Sequence, residues 1–335
     1  MGENKLVNAS IIFIAIVFLV IVLKTFKVFL RPLALAIILT LLLTPLIRLS
    51  RRLKVSFGVT MIGIVVILFV FVYLMGLLIS IDAVKIDEKL PNYSRQVDNT
   101  LHYFTTVTNI NVEELNLADF VNTENIIKLV KIGVQATGMF ISEIFLAIIF
   151  TLFLLPTYKR MVDNFEKGLN KTSKKKLQST LYRTEESIRK YLGTKSLVSF
   201  GTALVSAIVL LLFRADFVLI IALLIFLLNF IPNIGSFIAV FLAVISYLLK
   251  FGPASSVLWL AALLILIQVI FGNILEPKLA GAKLNLSPIV IIISLFLWYW
   301  VWGIVGMILA IPIISILKIV LEQSDSTKHL AKLMS

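Results

Sequence analysis

The chain contains no cysteine, which excludes disulfides, thiolate nucleophiles and cysteine-ligated zinc or iron–sulfur centres together and leaves the redox compartment unmarked. Histidine is almost as scarce. His102 and His329 lie in polar segments far apart, and neither Gly-x-Ser-x-Gly nor His-Glu-x-x-His occurs. No paired aspartates lie in the apolar segments, so the expectation is a protein that is not an enzyme, with no metal and no cofactor. Charge is short as well: 15% of 335 residues are Asp, Glu, Lys or Arg, against 60% hydrophobic residues. A mean hydropathy of +1.04 does not fit a water-soluble surface.

What is present is uncharged length. A bilayer core of roughly 30 Å takes about 20 helical residues. Charge-free runs cover Leu6–Leu23, Val55–Ile81, Ser196–Phe213, Phe217–Leu249, Phe251–Leu275 and Leu284–Leu317. The chain is therefore an all-α, polytopic integral membrane protein, with about eight transmembrane helices drawn from eight to ten hydrophobic segments. The start lacks a small-residue cleavage site, so the first span is expected to be retained. Spans of about 9–23 and 33–47 read as a hairpin, the second opening after Pro32.

A third span, about 57–80, leads into a polar region with a net charge of −3 over 82–131, where a small helical module is expected. After a fourth span, about 137–158, residues 159–195 carry eleven bases against four acids. By the positive-inside rule this stretch is cytoplasmic, Arg48, Arg51, Arg52 and Lys54 agree, and both chain termini are expected on the cytoplasmic side of the plasma (inner) membrane. Lys24, Lys27 and Arg31 fall on the wrong side and are read as long side chains reaching the headgroups. The basic stretch lacks interleaved aromatics, so no nucleic acid is expected; membrane lipid is the expected neighbour. Gly193-Thr-Lys195-Ser196 fails as a phosphate loop because Ile188 stands where a second glycine is needed. The organisation expected is 1–81, three spans; 82–136, extracytoplasmic module; 137–158, fourth span; 159–195, basic helical region; 196–321, bundle with broken segments; 322–335, tail.

The last third has its own texture. Phe217–Leu249 is about 50 Å if helical, too long for one crossing, and Asn229-Phe-Ile-Pro232-Asn233-Ile-Gly235 interrupts it. Leu284–Leu317 repeats the pattern, interrupted by Gly303, Gly306 and Pro312, so the last pair is either spanning or re-entrant. Broken apolar segments point to a transporter's central site, because unwound backbone at membrane depth survives only where it faces protein or a cavity.

Phe230-Ile-Pro232-Asn233-Ile-Gly235, then Gln268 with Gly272-Asn273-Ile-Leu-Glu276-Pro277 and Gly281, then Leu286-Ser-Pro288, then Gly303-Ile-Val-Gly306 with Leu309-Ala-Ile-Pro312, resemble in order and spacing the autoinducer-2 exporter (AI-2E) family of permeases. Thr194 stands where that family often has Gln, and bulky Ile225–Leu228 where it often has small residues. The resemblance implies passage of a small-molecule solute, autoinducer-2 in some members, with sodium or lithium for proton exchange by an antiporter suggested for others.

Glu276 leads the site candidates. With Gly272 and Asn273 it shares one face at the end of an apolar helix, where a carboxylate beside an amide can hold a cation or polar solute, or be neutralised by Lys278 and Lys283. Asn229 and Asn233 flank Pro232 and either meet a solute or satisfy the freed carbonyls. Gln268 is either interhelical glue or a ligand. Pro232, Gly235, Pro277, Gly281, Pro288, Gly303, Gly306 and Pro312 mark bends and close approaches. Glu143, Arg214 and Asp216 read as interface residues, and Trp298, Tyr299, Trp300 and Trp302 as an anchoring tip. Short spans and glycine-bearing faces make a homo-oligomer an expectation. A non-transporting sensor or scaffold, working through 82–131, is the reading of another class.

Overall fold

The computed structural model describes residues 2–108, 123–232, 234–280, 286–323 and 327–335. Asn233 and Gly281 lie outside the described residues. Every described element is helical: α1 (Gly2–Thr25), α2 (Lys27–Arg52), α3 (Phe57–Thr108), α4 (Thr123–Lys167), α5 (Lys171–Leu212), α6 (Val218–Leu228), α7 (Ile234–Phe251), α8 (Ser255–Gln268), a π-helical turn (Val269–Leu275), α9 (Glu276–Ala280), α10 (Pro288–Trp302), α11 (Ile304–Glu322) and α12 (Lys328–Leu333). Among the described residues, seven helical stretches are long and apolar enough to cross a membrane: Lys27–Thr44, Phe57–Leu77, Gly138–Tyr158, Lys171–Leu212, Ile234–Phe251, Ser255–Leu279 and Ile304–Glu322. Shorter apolar helices are Phe13–Thr25, Val218–Leu228 and Pro288–Trp302. Phe13, Ile67, Phe237 and Leu258 are 67 to 75% exposed, which in water would be a liability and in lipid is the outer surface.

The chain forms two compact units, and α3, α4 and α5 contribute to both. The first holds 1–68, 143–191 and 283–335. Its centre is a close approach of α2 and α4: Ala36 and Ala147 are fully buried, and Thr151 donates to the Ala147 carbonyl at 2.7 Å and to Ala36 across the gap at 3.4 Å. Small residues let the backbones meet, and the hydroxyl then bridges them. Leu43, Ile47, Ile64 and Leu155 continue this core. Helices α10 and α11 form an antiparallel hairpin turning at Gly303 (φ 67°), with Ser294 donating to the Ala310 carbonyl. A Cβ on Gly306 would stand 2.0 Å from the Trp298 carbonyl oxygen, so the hairpin closes only with glycine there. Pro288 opens α10, and Pro312 lies buried inside α11.

The second unit holds 69–142 and 192–282. Here α6 stops at Asn229 and α7 restarts at Ile234 around Pro232. A Cβ on Gly235 would lie 1.7 Å from the Leu228 carbonyl oxygen, so this glycine permits the restart to press on the end of α6.

Four sequence expectations need correction. No hairpin loop separates the first two helices: Phe26 donates its N–H to Val22 and Leu30 to Phe26, so the ladder runs on across a one-residue junction. Pro32 sits inside α2 instead of opening it, because no glycine or turn dipeptide nearby stops the helix. The third span also runs unbroken from Phe57 to Thr108, through the residues expected to begin a separate module, and the basic stretch joins the fifth span in one helix, α5.

Candidate functional site

Along α5, Lys195, Ser199, Thr202 and Ser206 recur at spacings of 4, 3 and 4, which places them on one helical face. All four are buried, with exposures of 5, 0, 0 and 1%. From Lys195 to Ser206 the face runs about 16 Å at 1.5 Å per residue. Lys195 Nζ donates to both carboxylate oxygens of Glu276 at 2.7 Å. One turn further, Asn229 Nδ2 donates to Ser199 Oγ at 3.1 Å. Thr202 turns its hydroxyl onto the Val198 carbonyl, as small hydroxyls in apolar helices do. Glu276 and Asn229, proposed on sequence grounds, thus meet the same face of α5. Lys195 neutralises Glu276, a role the sequence assigned to Lys278 and Lys283; Lys278 is exposed, and Lys283 lies outside the described residues.

Beyond the far end of this helix, the same unit holds a second charged cluster. Asp216 is buried and accepts from Lys250 Nζ at 3.0 Å and from the Tyr93 hydroxyl at 2.9 Å. Lys250 also donates to the Arg214 carbonyl at 2.6 Å. The turn needs left-handed backbone at Arg214 and Phe217, and the Tyr93 ring packs edge-on against Phe217. Burial first, and then the neighbouring Asp216 carboxylate, push the Tyr93 phenol well above its usual range. Asp216 therefore ties together α3, α7 and the turn after α5, where the sequence suggested only an interface residue.

Glu276 reaches Lys195 by an irregularity. Residues 269–275 are π-helical, and the Glu276 N–H donates to the carbonyl of Phe271, five residues back. Pro277 has no N–H to return to Asn273, which removes one α-type bond where the ladder loosens. The sequence placed Gly272, Asn273 and Glu276 on one α-helical face. The π register changes that spacing, and Asn273 stands exposed while Glu276 turns inward. Gln268, the last residue of α8, keeps its Nε2 buried with no partner among the described residues.

The first unit carries a different cluster. Arg31 pairs with Glu143 at 2.9 Å, and one of its guanidinium nitrogens lies 3.5 Å from the Trp302 carbonyl. Trp302 Nε1 donates to the Leu23 carbonyl at 3.0 Å, and Lys24 Nζ sits 3.3 Å from the Trp300 ring centroid. Two of the three bases that broke the positive-inside pattern thus have specific partners at the α10–α11 tip or on α4. Elsewhere in this unit, a cavity of about 720 Å³ is lined by Tyr158, Asp163, Glu166, Gln178, Tyr182 and Glu185 over an apolar floor. Hydrogen bonds from Gln178 and then Lys174 hold the Glu166 carboxyl below its usual range.

Sequence comparison covers nearly the whole chain. Residues 11–325 match the profile of the AI-2E family transporter. The AI-2 transport protein TqsA of Escherichia coli is 29% identical over 310 residues, 91% of this chain and 88% of that protein. A provisionally named transport protein of Haemophilus influenzae is likewise 29% identical, over 90% of this chain and 89% of its own length. A similarly named protein of Borreliella burgdorferi reaches 39% identity, over 47% of this chain and 45% of that protein.

Proposed function

The chain belongs to the AI-2E transporter family, and on that premise we propose that it is a permease passing a small polar solute along the buried polar face of α5. The observation that carries this reading is the run Lys195, Ser199, Thr202 and Ser206 inside a membrane-crossing helix, with Glu276 and Asn229 brought against it. Hydroxyls, an amide and a paired charge buried in a lipid-embedded unit give no stability that apolar side chains would not match. They do supply donors and acceptors to a solute shedding its water. The charged clusters at Lys195–Glu276 and at Asp216–Lys250–Tyr93 act as closures at the two ends of the path.

With the basic stretch 159–195 taken as cytoplasmic, the Lys195–Glu276 pair faces the cell interior and the Asp216 cluster faces outward. Export is the direction the family name suggests, and AI-2, named for the Escherichia coli relative, is the first solute to try. In the exchanger reading Glu276 binds the coupling ion. Lys195 already donates to both of its oxygens, so a coupling cation there competes with an ammonium for the same charge, which favours solute passage without ion exchange.

The test is flux in proteoliposomes containing the purified chain, with AI-2 inside and sodium-driven proton movement followed in parallel. AI-2 efflux that falls in Ser199→Val and Asn229→Leu and ignores sodium supports the proposal. Sodium-driven proton movement lost in Glu276→Gln replaces it with the exchanger, and silence in both assays favours a sensor acting through 82–131.

A further inference from the structure

The carboxylate of Glu276 meets Lys195 only because the helix before it is wound in π register, and we infer that Phe271, seated on Gly201, is the positioning contact that holds this register. The inference deepens the closure proposed above, yet it concerns backbone register and is readable without any transported solute. Phe271 acts twice. Its carbonyl accepts the Glu276 N–H, the bond that makes the turn π-helical. Its ring lies where Gly201 has no side chain: a Cβ there would stand 2.5 Å from ring atom Cε1, with two further ring atoms within 3.3 Å. Gly201 is on α5, about one and a half turns beyond Lys195, so the helix that carries the ammonium also carries the seat for the ring.

A π turn accommodates one residue more than the α-helix it interrupts, and its hydrogen bonding is the poorer of the two. Such a turn persists only where packing fixes it, and Phe271 on Gly201 is that packing. Return to α register removes the extra residue from the turn. Leu275 then takes the place of Glu276 opposite Lys195, and Glu276 moves about 100° around the helix axis. Lys195, 5% exposed, is left facing an apolar side chain, and the closure comes apart. Gly272 has open space around it and Ile274 is 45% exposed, so the turn has room to change register.

The absence of native cysteine makes the register measurable in the full-length chain. Two cysteine pairs, Lys195→Cys with Glu276→Cys and Lys195→Cys with Leu275→Cys, are bridged by a short bifunctional thiol reagent in detergent. On the native background the 276 pair cross-links in preference to the 275 pair. Adding Gly201→Ala, which displaces the ring, or Phe271→Ala, which removes it, is expected to lower the 276 yield about tenfold and raise the 275 yield. The two changes combined give no larger shift than either alone, because they remove one contact.

Deleting Ile274 takes the extra residue out of the turn, so the 276 preference then survives Gly201→Ala. An unchanged preference in both single variants overturns the inference. So does an equal loss at both pairs, which reports loosening without a change of register. Should Gly201→Ala fail to yield folded protein, Phe271→Ala, which inserts nothing, carries the same test. Failure of AI-2 flux leaves this result standing, and failure of the register shift leaves the permease reading standing.

Discussion

Removing the charge of Glu276 should cost far more stability than removing the charge of Lys195, although the two form one pair. The asymmetry follows from exposure: the Lys195 side chain is 6% accessible and that of Glu276 is 27%. In Glu276→Gln the ammonium keeps one amide acceptor and loses its counter-charge in a site closed to water. Breaking a buried pair from one side costs on the order of 3 kcal/mol. In Lys195→Met the carboxylate left behind reaches solvent by a side-chain rotation, and the new side chain fills the lysine stem's volume, so about 1 kcal/mol is expected. The double variant Lys195→Met with Glu276→Leu buries no charge and should return to within about 1 kcal/mol of the native chain. Thermal unfolding in detergent, followed by loss of the monodisperse size-exclusion peak, resolves these as a midpoint drop of several degrees for Glu276→Gln and a smaller one for Lys195→Met. Equal drops, or a double variant as unstable as Glu276→Gln, would refute the view that an uncompensated buried ammonium sets the cost.

Gly235→Ala and Gly306→Ala should each destabilise by about 3 kcal/mol or prevent folding, since the new methyl meets a backbone oxygen at 1.7 or 2.0 Å. Gly63→Ala and Gly138→Ala, with open space around them, should be neutral or slightly stabilising in the same melting assay. Tyr93 is expected to stay protonated in the folded chain above pH ~10, where an ordinary tyrosine titrates. Because its folded value is raised, its contribution to stability is complete below that pH and is lost as pH climbs beyond it. Ultraviolet difference titration should therefore give the native chain and Tyr93→Phe the same phenolate signal until the protein unfolds. Lys24→Met should change the fluorescence of a chain whose other tryptophans are replaced by Phe, leaving Trp300, because the ammonium sits on that ring.

The membrane-spanning character, the break at Pro232, the turn at Gly303 and the placing of Glu276 at the end of an apolar helix were all legible in the sequence. Each leaves a local mark: an uncharged run, a proline among amides, a glycine beside tryptophans, a carboxylate in an apolar helix. Its partner was not legible, because Lys195 closes a stretch of eleven bases and looks like the last of them. A signal for it exists in Ser199, Thr202 and Ser206, which continue its helical face into an apolar span, and that periodicity is visible without a structure. The π turn has no such mark, since the extra residue of the turn is apolar like its neighbours. The first hairpin was misplaced because charge at Lys24, Lys27 and Arg31 suggested a turn, whereas two of those bases, Lys24 and Arg31, meet tryptophans and Glu143 from far along the chain.

That distance has a consequence for how the protein is made. Arg31 and Trp302 are 271 residues apart, and Trp302 also holds the carbonyl of Leu23. At a synthesis rate of about 5–20 residues per second, roughly 15–50 s separate the emergence of the first bases from that of the tryptophans that receive them. Over that interval Lys24 has no ring to sit on and water or headgroups must carry it, while Arg31 has the Lys27 carbonyl and, once α4 emerges, Glu143. The end of α1 consequently takes its final seating only when the last hairpin arrives, well after α2 has met α4.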